Sequence, residues 1–228
     1  MAKKIQKVKG DKIFRLDKPT RFAHWLYVGC YAVLFLTGLL LFADAFDFLA
    51  PLFGGFEMAQ LLHRIFAVVF VLPIFILILF TPKTFFGWMK EILHLRKDDL
   101  AYFPALGKEL LGLHAECPPQ GFLNGGEKMN SYGVLSLTLV VILSGFVMWF
   151  PDTFSISLVQ WAYVAHSGGM ALLTAAATIH IYQTAFNPST KPALEGMLTG
   201  YVSADYAKGH HTLWYDKVMA EEKKAKSL

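Results

Sequence analysis

Apolar and polar residues alternate along this chain in long blocks rather than position by position. Four apolar blocks predict membrane spans, at residues 22–42, 61–80, 131–150 and 157–186. About 20 helical residues, each rising about 1.5 Å, are enough to cross the hydrocarbon core of a bilayer. Pro73 predicts a kink in the second block that neighbouring helices can accommodate. We therefore predict an all-α integral membrane protein, a four-transmembrane-helix bundle that forms one domain over residues 1–228.

The polar segments between these blocks share the basic residues unequally. Eight Lys and Arg precede or begin the first span, six lie in the connection at residues 82–130, and six lie in the tail at residues 187–228. The two short turns that follow the first and third spans contain none. Because cytoplasmic loops are enriched in basic residues, we predict that both termini and the connection are cytoplasmic. No small-residue cleavage site follows the first block, so we expect a retained helix rather than a signal peptide.

Composition supports this class and excludes others. The chain is 55% hydrophobic and 17% charged, whereas soluble domains carry about 25% charged residues. The net charge is +4, but the basic residues flank the spans, which indicates membrane topology rather than nucleic-acid binding. Cys30 and Cys117 lie far apart and form no CxxC motif. This spacing disfavours both a disulfide framework and a thiolate metal site.

The connection begins with an amphipathic stretch, TPKTFFGWMKEILHLRKDD, at residues 81–99. Apolar residues on one side of a basic helix predict a helix lying in the membrane interface. The alternative is a solvated loop whose hydrophobic patch docks on the bundle. No internal repeat is evident in the sequence.

Four histidines lie within the predicted spans, where ionisable residues are costly and therefore indicate function. His166 and His180 are fourteen residues apart in the fourth span. On a helix they fall within about 40° of each other and about 21 Å apart along the axis. The predicted topology places His24 in the inner, cytoplasmic part of the first span and His63 near the outer start of the second. The depths therefore pair His24 with His180 and His63 with His166.

Two pairs of imidazoles at two depths of an apolar bundle are what two bis-histidine haems require, because bundle cofactor sites are built from facing helices. Two axial ligands leave haem iron no open position, which favours electron transfer over oxygen chemistry. The sequence contains no HExxH motif, and the spans hold almost no carboxylates, which disfavours zinc and di-iron sites. A single histidine near a helix end is more often an interfacial or hydrogen-bonded residue. We expect a solvated or interfacial role for the remaining four, His94, His114, His210 and His211.

The chain resembles the membrane cytochrome b (gamma) subunit of respiratory formate dehydrogenases over most of its length, from about Arg15 to Trp214. The motifs that carry the resemblance are, in order, RFAHWLY, LLHRI, GFLNGGEKMNSYG, AHSGGM, IHIYQTAF and EGMLTGYVSADYAKGHHTLWYD. Related cytochromes b of hydrogenases, thiosulfate reductases and other molybdoenzymes share the four-helix di-haem plan. The order and spacing of the motifs together are more specific than any one of them.

The resemblance implies two haems b, with His24 and His180 ligating the inner haem and His63 and His166 the outer one. It also implies that the segment Asn124-Gly125-Gly126 lines a menaquinone or other quinone site beside the inner haem. An ordinary turn is the alternative for a lone Asn-Gly-Gly sequence.

Together these observations predict a subunit that passes electrons from an outer iron–sulfur partner, across about 20 Å, to a quinone near the cytoplasm. The implied partners are an iron–sulfur beta subunit and a molybdenum or tungsten catalytic alpha subunit in a bacterial inner membrane, with a higher oligomer of the heterotrimer as a further option. We find no formate-oxidising site on the chain itself. Three alternatives remain: the same role in a hydrogenase or other molybdoenzyme complex, a histidine-lined transporter, and a haem-free membrane anchor.

Overall fold

The computed structural model describes residues 8–114 and 116–227. Three basic residues counted in the topology prediction, Lys3, Lys4 and Lys7, lie outside the described residues. The α-helices are α1 (Lys18–Phe42), α2 (Ala50–Phe53), α3 (Phe56–Val69), α4 (Leu72–Phe80), α5 (Pro82–Leu93), α6 (Lys97–Leu110), α7 (Gly125–Trp149), α8 (Ile156–Ile181), α9 (Pro192–Thr199), α10 (Ala204–His210) and α11 (Thr212–Lys226). The strands are β1 (Val8–Lys9), β2 (Lys12–Phe14) and β3 (Tyr201–Ser203).

Four helical segments of the described chain are long and apolar enough to cross a membrane: Lys18–Phe42, Phe56–Phe80, Gly125–Trp149 and Ile156–Phe186. The predicted class, an all-α membrane protein with four spanning helices, is confirmed. Each helix begins before the apolar block that predicted it, and in α1 and α7 the added first turn is KPTR or GGEK rather than apolar. Asp17, Asn124 and Ser155 cap the N-termini of α1, α7 and α8 by accepting backbone N–H bonds, as such residues commonly do.

The chain divides into two compact units. The hairpin unit is Asp17–Phe86, and the C-terminal unit comprises Met1–Leu16 and Gly87–Leu228. In the hairpin unit, α1 packs against α3 and α4. The second span is interrupted between α3 and α4, two residues before Pro73, because proline has no N–H to donate and its ring crowds the preceding turn. The kink predicted at Pro73 is therefore confirmed.

In the C-terminal unit, α7 and α8 form the principal helix pair and α6 packs against α7. The amphipathic stretch forms α5, which confirms the helix rather than the loop. Its side chains Phe85 and Ile92 are buried, whereas Phe86 and Leu93 are exposed.

A small antiparallel sheet, in the order β1-β2-β3, ties the N-terminal segment to the tail. Ile13 pairs with Val202, and both are fully buried in a cluster with Tyr206, Ala207 and Val218. The tail from residue 187 is therefore folded, with its own strand and buried core residues. Sequence reasoning missed this sheet because two- and three-residue strands show no periodicity and pair with partners far away in the chain.

Candidate functional site

The two histidines of the hairpin unit lie at two levels of α1. His24 is on α1 itself, and Gly38 follows it on the same helix fourteen residues later. The imidazole of His63, on α3, lies against Gly38, since a Cβ built on that glycine would be 3.4 Å from the His63 Cε1 atom. Fourteen residues rise about 21 Å along a helix, so this is the separation of the two histidine levels along α1.

The C-terminal unit repeats this separation on α8, where His166 and His180 are also fourteen residues apart. The imidazole of His166 lies against Gly145 of α7, and a Cβ built there would be 3.1 Å from the His166 Cε1 atom. In each unit, one histidine level therefore lies toward the short turn and the other toward the polar end. The two units carry histidines at matching intervals.

A threonine hydroxyl is the partner of Nδ1 of His63. Thr37 is fully buried, and its Oγ1 lies 2.8 Å from the carbonyl oxygen of Val33. The same oxygen lies 2.9 Å from Nδ1 of His63. With the hydroxyl proton on the Val33 carbonyl, the oxygen accepts from Nδ1–H of His63. That arrangement leaves the lone pair of the imidazole on Nε2.

His166 is held in the same tautomer by two acceptors on α7. Its Nδ1 lies 3.0 Å from the carbonyl oxygen of Val141 and 3.2 Å from the hydroxyl of Ser144. A carbonyl oxygen only accepts, so Nδ1 must donate. Ser144 gives its own proton to the carbonyl of Val140 at 2.7 Å. The Nε2 atom again carries the lone pair.

The two environments are a repeat that the sequence analysis did not detect. The tripeptide Leu36-Thr37-Gly38 on α1 corresponds to Leu143-Ser144-Gly145 on α7. The hydroxyl residue precedes its histidine by 26 residues in one unit and 22 in the other. A search for a hydroxyl-glycine pair late in one span and a histidine early in the next would have found it. The repeat is short, so similarity along whole helices does not reveal it.

The other two span histidines lie near the polar ends of their helices. The ring of His24 packs edge-on against Trp25, with centroids 5.2 Å apart. His180 is in the last turn of α8, and its carbonyl accepts from the Thr184 hydroxyl at 2.9 Å. A π-helical turn, Tyr182–Phe186, follows immediately, and such turns occur frequently at functional sites.

The Asn-Gly-Gly segment is the N-terminus of α7 rather than an ordinary turn. The side chain of Asn124 accepts from the Glu127 N–H at 2.8 Å, while Glu127 accepts from the Asn124 N–H at 3.1 Å. This reciprocal capping box satisfies two backbone donors. Gly125 donates to Gln120 Oε1 at 2.8 Å, and a Cβ on it would come within 2.2 Å of the Asp99 carbonyl oxygen. Only glycine therefore fits this position.

Buried charges surround this helix start. Lys128, only 1% exposed, lies 2.7 Å from Asp99, which is equally buried. Burial alone would raise the pKa of Asp99, but hydrogen bonds from Lys128 and Arg96 outweigh it and lower that pKa. The guanidinium of Arg15 contacts both carboxylate oxygens of Glu127 at 3.0 Å. The N-terminal segment and the connection are thus fastened to α7 by paired charges.

His211 also belongs to this cluster, which corrects its expected solvated or interfacial position. The side chain is fully buried, and Nδ1 donates to the Gly121 carbonyl at 3.0 Å. Burial, followed by the nearby charge of Arg15, lowers the pKa of His211 to about 3. The imidazole is therefore neutral at pH 7. Sequence reasoning could not have found this, because a polar segment does not show which of its residues will be enclosed.

The donors in the spans fit haem iron. Metal-binding histidines characteristically donate their second ring N–H to a carbonyl or a hydroxyl, which fixes the tautomer and orients the ring. His63 and His166 both have this arrangement, with the lone pair on Nε2. Among residues 8–114 and 116–227, no group of three or more His, Cys, Asp or Glu side chains is placed to hold a metal ion. A bis-histidine haem would need only two histidines from the chain, because the porphyrin supplies its own nitrogen ligands.

Comparison with known proteins is consistent with this chemistry. The model of the prokaryotic cytochrome b561 family matches residues 15–200. This range includes all four span histidines and both hydroxyl-glycine pairs.

Three relatives illustrate the similarity over nearly the whole chain. The cytochrome b556 subunit of the nitrate-inducible formate dehydrogenase of Escherichia coli strain K12 is 26% identical over 223 residues, 96% of this chain and 97% of the relative. The cytochrome b556 subunit of a second formate dehydrogenase of that strain is 27% identical, covering 94% and 98% of the two chains. The formate dehydrogenase cytochrome b556 subunit of Haemophilus influenzae is 28% identical, covering 93% and 86%. Together with the four apolar helices, the family match implies haem b binding and electron transfer in a bacterial membrane, and the chain belongs to the prokaryotic cytochrome b561 family.

Proposed function

We propose that this chain is the di-haem b membrane subunit of a formate dehydrogenase complex. In this role it passes electrons from an outer iron–sulfur partner to menaquinone or another quinone near the cytoplasm. The observation that carries the proposal is the pair of histidine levels, about 21 Å apart in each unit. Equal intervals in the two units suit two cofactors stacked across a membrane. The relatives' names supply the link to formate dehydrogenase.

We assign the ligands by level. His63 and His166 lie toward the short turns of their units and would hold the outer haem. His24 and His180 lie toward the polar ends and would hold the inner haem. The single cytochrome b domain expected from the sequence is part of this proposal.

When bound, the haems supply one-electron carriers whose potentials depend on axial ligation, hydrogen bonding and burial. The chain's own contribution is to fix the spacing of the ligands, to hold the two outer imidazoles in the Nδ1–H tautomer and to surround them with apolar helices. These are the positioning and electrostatic tasks that a protein performs for a redox cofactor.

We place the quinone site at Asn124, Gly125 and Gly126, beside the inner ligand pair. The capping bond uses the amide oxygen of Asn124, and the NH2 half of that amide takes no part in the cap. An amide N–H is a suitable donor to a quinone carbonyl. The close packing of Gly125 against Asp99 also gives this segment a structural role as the start of α7. Quinone binding and helix capping would therefore use the same residues.

The orientation follows from the basic residues. With the basic N-terminal segment, connection and tail in the cytoplasm, the short turns and the His63 and His166 level face outward. An iron–sulfur beta subunit would dock on the outer side, and a molybdenum or tungsten alpha subunit would oxidise formate, since we find no such site on this chain. The complex would lie in the bacterial inner membrane, as this heterotrimer or a higher oligomer of it.

Haem content is the direct test. We expect dithionite-reduced protein, purified in detergent, to show low-spin b-type bands and about two haems per chain by pyridine haemochrome assay. One haem per chain would contradict the two-level assignment. A protein without bound haem would favour a histidine-lined transporter or a haem-free anchor instead.

The partner is tested separately by identifying the subunits that co-purify in mild detergent and by supplying electron donors to the complex. Reduction of the haems by formate supports the formate dehydrogenase assignment. Reduction by hydrogen, with no response to formate, would place the same cytochrome in a hydrogenase.

A further inference from the structure

The hydroxyl-glycine pairs Thr37-Gly38 and Ser144-Gly145 are not ligands in the function proposed above, but they contact two of its four histidines. Both lie late in the first spanning helix of a unit, and both contact the histidine that lies early in the next span. Thr37 is fully buried and Ser144 is 7% exposed. A buried hydroxyl in a membrane helix can form a hydrogen bond with the backbone carbonyl four residues earlier. Both hydroxyls do so, at 2.8 and 2.7 Å. Neither hydroxyl requires the histidine for its own hydrogen bonding.

The contact instead serves the imidazole. A hydroxyl that donates to its own helix carbonyl accepts from Nδ1–H, so each hydroxyl favours the Nδ1–H tautomer of its histidine. The wrong tautomer would put the proton on Nε2 and the lone pair toward a carbonyl or hydroxyl oxygen. An acceptor at Nδ1–H also makes the opposite nitrogen a stronger donor to a metal.

The glycines allow each imidazole ring to lie close to the backbone of the neighbouring helix. A Cβ at Gly145 would stand 3.1 Å from Cε1 and 3.3 Å from Nδ1 of His166, closer than side chains normally approach. A Cβ at Gly38 would stand 3.4 Å and 3.9 Å from the same atoms of His63, which is ordinary contact. The ring of His166 is therefore confined more tightly than that of His63.

We propose that Thr37 with Gly38, and Ser144 with Gly145, are positioning sites that orient His63 and His166 as haem ligands and set the haem potential. The inference rests on the proposed function, since it concerns the haem of the outer level. The four residues act through the imidazoles and are not ligands themselves.

The test measures the potential and spectrum of each haem, not turnover. Removing the acceptor from Nδ1–H weakens donation by Nε2 and favours the reduced iron, so Thr37→Val is expected to shift the midpoint potential of the outer haem upward. Ser144→Ala is expected to produce a smaller upward shift, because the Val141 carbonyl still accepts from His166. Outer-shell changes at metal sites commonly weaken binding by about 10-fold or more, so we also expect faster loss of that haem to apomyoglobin from Thr37→Val.

Restoring the hydroxyl provides the internal check. Thr37→Ser and Ser144→Thr retain the acceptor and are expected to keep the wild-type potential and low-spin electron paramagnetic resonance signals. Thr81→Val is the matched control, since its hydroxyl also bonds to the carbonyl four residues earlier, at 3.2 Å. It is expected to shift neither haem.

Three results separate the possibilities. An outer haem that shifts in Thr37→Val and recovers in Thr37→Ser supports the inference. Two haems per chain with unchanged potentials and spectra in both Thr37→Val and Ser144→Ala would overturn it, leaving the proposed function intact. If wild-type protein binds no haem, the proposed function fails first. Should Thr37→Val not fold, Ser144→Ala and Ser144→Thr carry the test alone.

Discussion

The two units hold their turn-side histidines in the same way but differ at their polar ends. In both, a hydroxyl and a glycine on the first helix confine an imidazole from the next span. In the C-terminal unit, buried charges also surround the start of α7, where Lys128 and Asp99 are each 1% exposed. The polar end of the hairpin unit also carries charges, at Asp17, Lys18, Arg21 and Lys83, but none of these residues is buried. The difference indicates that the surroundings of the turn-side histidines are repeated, whereas buried charge is concentrated at the start of α7.

The largest effect should come from removing ligands, because it tests whether the two units share their cofactors. We expect His63→Ala and His166→Ala each to lose the same outer haem and keep the inner one. We expect His24→Ala and His180→Ala to do the reverse. The measurement is haem stoichiometry combined with redox titration. Loss of one and the same haem from His24→Ala and His63→Ala would contradict the assignment of ligands by level.

Breaking the buried ion pair should destabilise the protein by roughly 3 kcal/mol, the lower end for a buried pair, since Asp99 keeps Arg96 as its second charged partner. Lys128→Met is the variant, and its unfolding in detergent is followed by circular dichroism against denaturant. Lys12→Met is the control, because the exposed Lys12–Glu195 pair is solvated and its loss should not be measurable. Equal stability of Lys128→Met and wild type would show that the charged end does not stabilise the C-terminal unit.

Acid should destabilise the C-terminal unit through His211. Its folded pKa of about 3 is below the unfolded value of about 6.5, so folding favours the neutral ring. This stability is complete above pH 6.5 and is lost as the pH falls toward 3, at up to about 1.4 kcal/mol per pH unit. Unfolding measured between pH 7.5 and 5 should show a shallower slope for His211→Asn. Asp99, whose pKa is lowered, stays ionised in this window.

The smallest effect should distinguish the two glycines. Alanine normally gains about 0.5–1 kcal/mol over glycine in a helix, and we expect Gly38→Ala to show that gain. Gly145→Ala should instead lose stability by about 1 kcal/mol net, because overpacking costs about 1–3 kcal/mol. Gly133→Ala is the control on α7, where a Cβ meets no described atom within 4 Å. Equal stability changes in Gly38→Ala and Gly145→Ala would contradict the tighter confinement of the His166 ring.

Much of the candidate site was predictable because its residue types are rare in their surroundings. A histidine in an apolar span stands out, and the fourteen-residue interval between His166 and His180 is a property of one helix. The corresponding interval in the hairpin unit was not predictable. It depends on His63 packing against Gly38, which is a contact between two helices.

The segment at residues 124–126 shows the opposite case. Its sequence is compatible with a turn, a ligand loop or a helix cap. The capping box with Glu127 and the approach of Gly125 to the Asp99 carbonyl depend on how the connection folds over α7. The sequence near residues 124–126 does not indicate that packing.

The sequence by itself determined the four spans and the presence of histidines within them. Both follow from local hydrophobicity, which is a property of neighbouring residues in the chain. Only the tertiary structure decided the tautomers of His63 and His166, the burial of His211 and the sheet that joins Ile13 to Val202. Each of these depends on atoms brought together from distant parts of the chain, because hydrogen-bond acceptors and desolvation act through space and not along the sequence.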